Sequence, residues 1–176
     1  MNRKPGIASF PASGLAANFP QPLPVLDQLT VGGTLFDAAR NFPLRPALVY
    51  DGHRANWQEL TEHVIAMGAR LMGLGVRAGD HVGVLMPNCW DYLVIYHAID
   101  LIGGCAVLLN ARYRADDLAY VIPKADIRFL FVGGHAAEHC DYRPMLAQAL
   151  PGIDAGAEQL AGIVRLKSAP KLERLI

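Results

Sequence analysis

In the segment GCAVLLNARYRADDLAYV, Gly104 to Val121, an apolar run from Cys105 to Leu109 breaks at Asn110, and Arg112 and Arg114 follow before a helical pattern begins. The run is apolar enough to be a buried strand. Two guanidinium groups at the N-terminus of a helix, where backbone N–H groups lack intrahelical partners, could hold an anion. Asp116 and Asp117 oppose this, because acidic residues in a first turn already satisfy the helix end. On the residues alone, the arginines are either solvated loop charges or the lining of a site.

Other groups offer weaker chemistry. His135 to His139 reads HAAEH, which fits an H-x-x-E-H zinc pattern, but it follows Gly133-Gly134, and Pro144 leaves little room for a helix through it. Turn or surface histidines are the better reading. Gly73 to Gly79, GLGVRAG, nearly imitates a dinucleotide fingerprint, yet it ends a helix instead of following a strand. Nothing places a histidine together with an orienting group beside Cys89, Cys105 or Cys140 to activate a thiol. Trp57 and Trp90 fall on apolar helical faces and read as core residues.

The elements that position these groups follow from pattern. With 176 residues, 52% of them hydrophobic and 18% charged, the chain can bury a core. Lys plus Arg and Asp plus Glu are each 16, so overall charge draws the protein neither to nucleic acid nor to an anionic bilayer. Three separated cysteines without C-x-x-C suggest reduced thiols and a cytoplasmic protein. Residues 1–30 carry five prolines and read as an extended arm; Pro5, Ser9, Pro11, Ser13 and Gly14 interrupt what would otherwise resemble a secretion signal.

From residue 31 to 176, strands and helices alternate. TVGGTLFDAARNFP suggests a helix with Thr30 near its start, PALVY a strand and DGHR a turn. Trp57, Leu60, Val64, Met67, Leu71 and Leu74 share one helical face, with Asn56 and Glu59 as caps and Gly75 as terminator. HVGVLM predicts a strand, Asn88 the cap of a helix to about Leu101 that is apolar on nearly every side, and CAVLL the next strand. RADDLAYVI predicts a helix kinked or ended near Ile122 by Pro123, and IRFLFV a further strand. The expected fold class is α/β: an open, mostly parallel, doubly wound sheet with helices on both faces. Ligands then bind beyond the carboxyl ends of the strands, at Pro87-Asn88, at Asn110 to Arg114 and at Gly133-Gly134.

From about Thr34 to Val132 the chain resembles the N-terminal region of adenylate-forming enzymes, specifically acyl-CoA synthetases. ANWQEL, GDHVGVLMPN and IGGCAVLLNARYRADDL carry the resemblance, in that order. LLNARYRADDLAYV looks closer to CoA ligases of medium-chain and alicyclic or aromatic acids than to peptide synthetases. The resemblance implies ATP, magnesium and CoA as cofactors of a full-length enzyme and a carboxylic acid as substrate. It also implies that Asn110 and Arg112, at the family's Asn-x-Arg positions, and Arg114 face CoA. Arg114 and Ala115 stand where the family has a Thr or Ser cap and Pro, so the helix is expected to lack its side-chain cap.

Family chains are much longer, and their ATP chemistry rests on a Ser/Thr/Gly-rich phosphate loop and later motifs. Ser9, Ser13 and Ser168 are the only serines here, and none lies in such a loop. The expectation is a partial α/β subdomain that ends inside a strand at KLERLI, is inactive by itself, and is either poorly stable or oligomeric because of the uncovered apolar helix after Asn88. The alternative is a free-standing α/β binding or scaffold module without catalysis.

Overall fold

The computed structural model describes residues 30–133, 141–153 and 162–176. The arm 1–29, the HAAEH motif and Cys140 lie outside the described residues.

Helix α1 (Val31–Asn41) starts at Thr30, whose hydroxyl accepts the Gly33 N–H at 3.0 Å. Strands β1 (Pro46–Tyr50) and β2 (His53–Asn56) form a separate antiparallel hairpin. The expected turn DGHR is therefore only half turn. Asp51 and Gly52, at φ 47° and 77°, make the bend, and their twist suits a tight hairpin. His53 and Arg54 already pair with Tyr50 and Val49.

Helix α2 (Trp57–Gly73) has the capping box that its sequence predicts: Asn56 Oδ1 accepts the Glu59 N–H, and Glu59 Oε2 accepts the Asn56 N–H, each at 2.9 Å. Leu60, Val64 and Leu71 are buried along its inner face, and Gly75 follows its end at φ 101°.

Strand β3 (His81–Leu85) leads to α3 (Trp90–Leu101), which starts one residue later than expected. Cys89, not Asn88, is the cap, because its extended backbone lets Sγ accept the Tyr92 N–H at 3.4 Å. Nor is α3 left bare. It packs against α1, α2 and the sheet, and Asp91 is its only exposed residue.

Strand β4 (Cys105–Leu109) is followed by α4 (Ala115–Lys124) and β5 (Phe129–Val132). Pro123 does not end α4 near Ile122. It lies in the last turn, where the Ala125 N–H still bonds the Val121 carbonyl at 2.8 Å. Then come α5 (Tyr142–Ala149), β6 (Gly162–Ile163) and β7 (Arg174–Leu175).

The main sheet has the order β4-β3-β5-β7-β6, parallel except for β6. Alternation sends Val82, Val84, Phe129 and Phe131 to the layer of α1, α2 and α3. Leu85, Leu130 and Leu175 point to the opposite layer, with α4 and α5. This is the expected doubly wound arrangement. One expectation fails within it: β4 is an edge strand, so Cys105 is exposed and Leu108 is 45% exposed. No helix among the described residues is long and apolar enough to cross a membrane.

Candidate functional site

Parallel pairing puts the carboxyl ends of β4, β3 and β5 on one edge. The segments after them are 110–114, 87–88 and Gly133. The chain leaves β3 toward α3 on one face and β5 toward α5 on the other, so the crevice of this sheet opens between adjacent β3 and β5. There the two turns touch. The Gly133 N–H bonds the Leu85 carbonyl at 2.9 Å, and a Cβ on Gly133 would lie 2.5 Å from Met86 Cβ.

Beside the crevice, the loop after β4 has a fixed shape. Asn110 Oδ1 accepts the Arg112 N–H at 2.9 Å, and the Asn110 carbonyl accepts the Tyr113 N–H at 2.9 Å. These bonds close a tight turn. Residues alternate through it: Ala111 and Tyr113 pack on the α4–α5 cluster, while Asn110, Arg112 and Arg114 are exposed. Tyr142 of α5, itself buried, donates its hydroxyl to the Ala111 carbonyl at 3.4 Å and holds the loop from below.

Arg114 occupies the cap position of α4 and, having no acceptor, cannot cap with its side chain. Asp117 supplies the reciprocal half: its Oδ2 accepts the Arg114 N–H at 2.9 Å. Both arginines are solvent-exposed. Neither has an acidic partner among the described residues. Asn110, Arg112 and Arg114 are thus brought together on one loop.

Sequence reasoning placed Asp117 at this helix end but missed Tyr142. Tyr142 lies 31 residues from Ala111, and no spacing signals that contact. Asp117 was legible, being three residues after the cap.

Two polar groups of α3 stand apart from this edge chemistry. His97 Nδ1 and Asp100 Oδ2 are buried without a hydrogen-bond partner. Burial lowers the His97 pKa. It raises that of Asp100, against a hydrogen bond from Tyr96 that works the other way.

A family model described as AMP-binding enzyme matches residues 35–175. The chain belongs to the AMP-binding enzyme family. It is 32% identical over 149 residues to the mitochondrial medium-chain acyl-CoA ligase ACSF2 of Mus musculus, covering 84% of this chain and 24% of that protein. It is 28% identical over 126 residues to a long-chain-fatty-acid–CoA ligase of Bacillus subtilis, covering 72% and 21%. Among solved structures, a putative long-chain-fatty-acid CoA ligase from Rhodopseudomonas palustris superposes with a TM-score of 0.64 at 27% identity, over 74% of this chain and 32% of that one. An O-succinylbenzoate CoA synthetase from Bacillus subtilis, in complex with AMP, gives a TM-score of 0.56 at 28% identity, over 60% and 27%. The match spans about a quarter or less of these curated relatives' length. The likeness covers the N-terminal part of adenylate-forming enzymes.

Proposed function

We propose that this chain forms the N-terminal part of an ATP-dependent acyl-CoA ligase, which joins a carboxylate to AMP with loss of pyrophosphate and then passes the acyl group to the CoA thiol. The observation that carries the reading is the AMP-binding enzyme family match over residues 35–175, together with relatives that are acyl-CoA ligases. Reduced thiols and a cytoplasmic location accompany it.

Within this reading, Arg112 and Arg114 take the phosphates of CoA. Their groups fit that role: both are exposed and unpaired with acid among the described residues, on a loop whose backbone Asn110 and Tyr142 fix. CoA supplies the acceptor thiol when bound. The arginines bind and orient its anionic end, and Asn110 holds the loop in the shape that aims them. ATP and magnesium are assigned to parts of the protein other than the described residues, because no described loop combines glycines with Ser, Thr and Lys in a phosphate cradle. The chain on its own is therefore inactive and forms no acyl-AMP. The carboxylic acid falls in the medium-chain, alicyclic or aromatic range, and self-association through exposed apolar residues such as Leu108 belongs to the same proposal.

The test is to express the open reading frame that contains this sequence, up to its stop codon. Pyrophosphate release and acyl-CoA formation are then followed with ATP, magnesium, CoA and a panel of carboxylic acids, beside the 176-residue chain alone. Turnover that requires ATP and CoA in the longer protein supports the reading. Turnover by the chain alone, or CoA-independent pyrophosphate release as the sole activity of the longer protein, counts against it.

A further inference from the structure

Trp90 reads from sequence as a core residue, but the structure gives it two surroundings. Part of its ring packs against the cluster of α1, α2 and α3. The remainder lines a cavity of about 380 Å³, together with His53 and Arg54 of β2 and His63 of α2. That volume lies within the range of small-molecule sites, about 300 to 1,000 Å³. Three elements converge on it, beside the N-terminal end of α3 and on the sheet face opposite α4.

Its wall has a one-sided chemistry. Arg54 is permanently charged and forms no ion pair among the described residues. His53 and His63 each offer a ring N–H in either tautomer, and no carboxylate lines the cavity. The His63 and Trp90 rings are nearly perpendicular, at 87°, with centroids 5.5 Å apart. His53, Arg54 and His63 are all exposed, so a ligand reaches them without any opening of the fold.

We propose that His53, Arg54, His63 and Trp90 form a second binding site, separate from the arginine loop, for a planar aromatic ring that carries a carboxylate or phosphate. The oxyanion meets the Arg54 fork and the imidazole N–H groups, and the ring packs on the indole. Both halves contribute to affinity. A bare anion lacks the apolar contact, and a neutral ring lacks the charge-assisted bonds.

The test is a titration of the nitrogen-15-labelled chain followed at the indole N–H signals of Trp57 and Trp90, which Trp90→Phe assigns. With phenyl phosphate or benzoate, the Trp90 signal is expected to shift and saturate while the Trp57 signal stays in place. Inorganic phosphate should bind severalfold more weakly, and benzyl alcohol should give no saturating shift. Arg54→Gln should weaken phenyl phosphate about tenfold or more at an unchanged melting temperature. Arg54→Lys, which keeps the charge but loses the fork, should fall between. Shifts that grow linearly without saturation, equal movement of both indoles, inorganic phosphate that binds as well as phenyl phosphate, or Arg54→Gln that binds like the parent would each overturn the proposal.

Discussion

Arg128 donates from Nη1 to Asp80 Oδ2 at 2.7 Å, a contact that spans 48 residues and joins the approach to β3 with the approach to β5. Its Nε also meets Glu173 Oε1 at 2.9 Å, just before β7. One side chain thus ties the amino ends of three parallel strands, opposite the edge that carries the arginine loop. Glu173, then Asp80, raises the Arg128 pKa far above its usual value. Exposure reverses their rank for stability, because Glu173 is 55% exposed and screened by water, whereas Asp80 is 17% exposed.

Asp80→Ala should therefore cost about 1 to 2 kcal/mol, since the same oxygen also accepts the Arg77 N–H at 2.7 Å and both donors lose their partner. Glu173→Ala should cost about 0.5 kcal/mol or less, and that cost should shrink further in high salt. Urea unfolding at two ionic strengths measures both. Equal losses would show that burial is not what separates them.

Gly133→Ala should destabilise the fold by about 1 to 3 kcal/mol, because the added carbon meets Met86 Cβ at 2.5 Å and Met86 Cα at 3.3 Å. The Met86 main chain cannot yield without moving the end of β3. Thermal unfolding followed by circular dichroism is the check, and a parent-like midpoint would mean that the two turns part easily.

Asp100→Asn should stabilise the protein at neutral pH and do little at pH 4. The folded pKa of Asp100 is raised by burial, so the folded state holds its proton more tightly than the unfolded chain does. Stability is accordingly lost as pH rises from the unfolded value, about 3.9, through the folded one, and the asparagine variant escapes that loss. His97 works in the opposite window. Its folded pKa is lowered, so it costs stability as pH falls below about 6.5, and His97→Gln should flatten the decline there. Melting temperatures between pH 4 and 8 separate the two contributions.

In an active longer protein, Arg112→Ala or Arg114→Ala should raise the KM for CoA by about tenfold or more, with acyl-AMP formation close to normal. Unchanged CoA dependence in both variants would leave the arginines as solvated charges. Loss of the first half-reaction would mean that they support the adenylate site or the fold.

Local signals in the sequence were the dependable ones. The α2 capping box and its inner face lie within one helix, so 3.6-residue spacing and two side chains suffice to read them. Asn110, Arg112 and Arg114 were visible as a cluster for the same reason. Position in the sheet was not visible. CAVLL is as apolar as a central strand, yet it lies at an edge because β5 takes the other side of β3, and nothing inside the run records that choice. The cap of α3 was misplaced by one residue because a thiol stands where a better acceptor, Asn88, was available next door. Cover for α3 comes from α1 and α2, whose packing depends on tertiary geometry.

The strand order also fixes a sequence of events for a chain emerging from the ribosome. β3 and β4 can pair once residue 109 is out, but the other side of β3 waits for β5, which begins at residue 129. At about 5 to 20 residues per second this interval lasts roughly 1 to 4 s. Throughout it, β3 presents an unpaired backbone edge, and Leu85 has not yet met Leu130 or α5. A strand flanked on both sides in the finished sheet is thus an open edge, liable to mispairing, for part of synthesis.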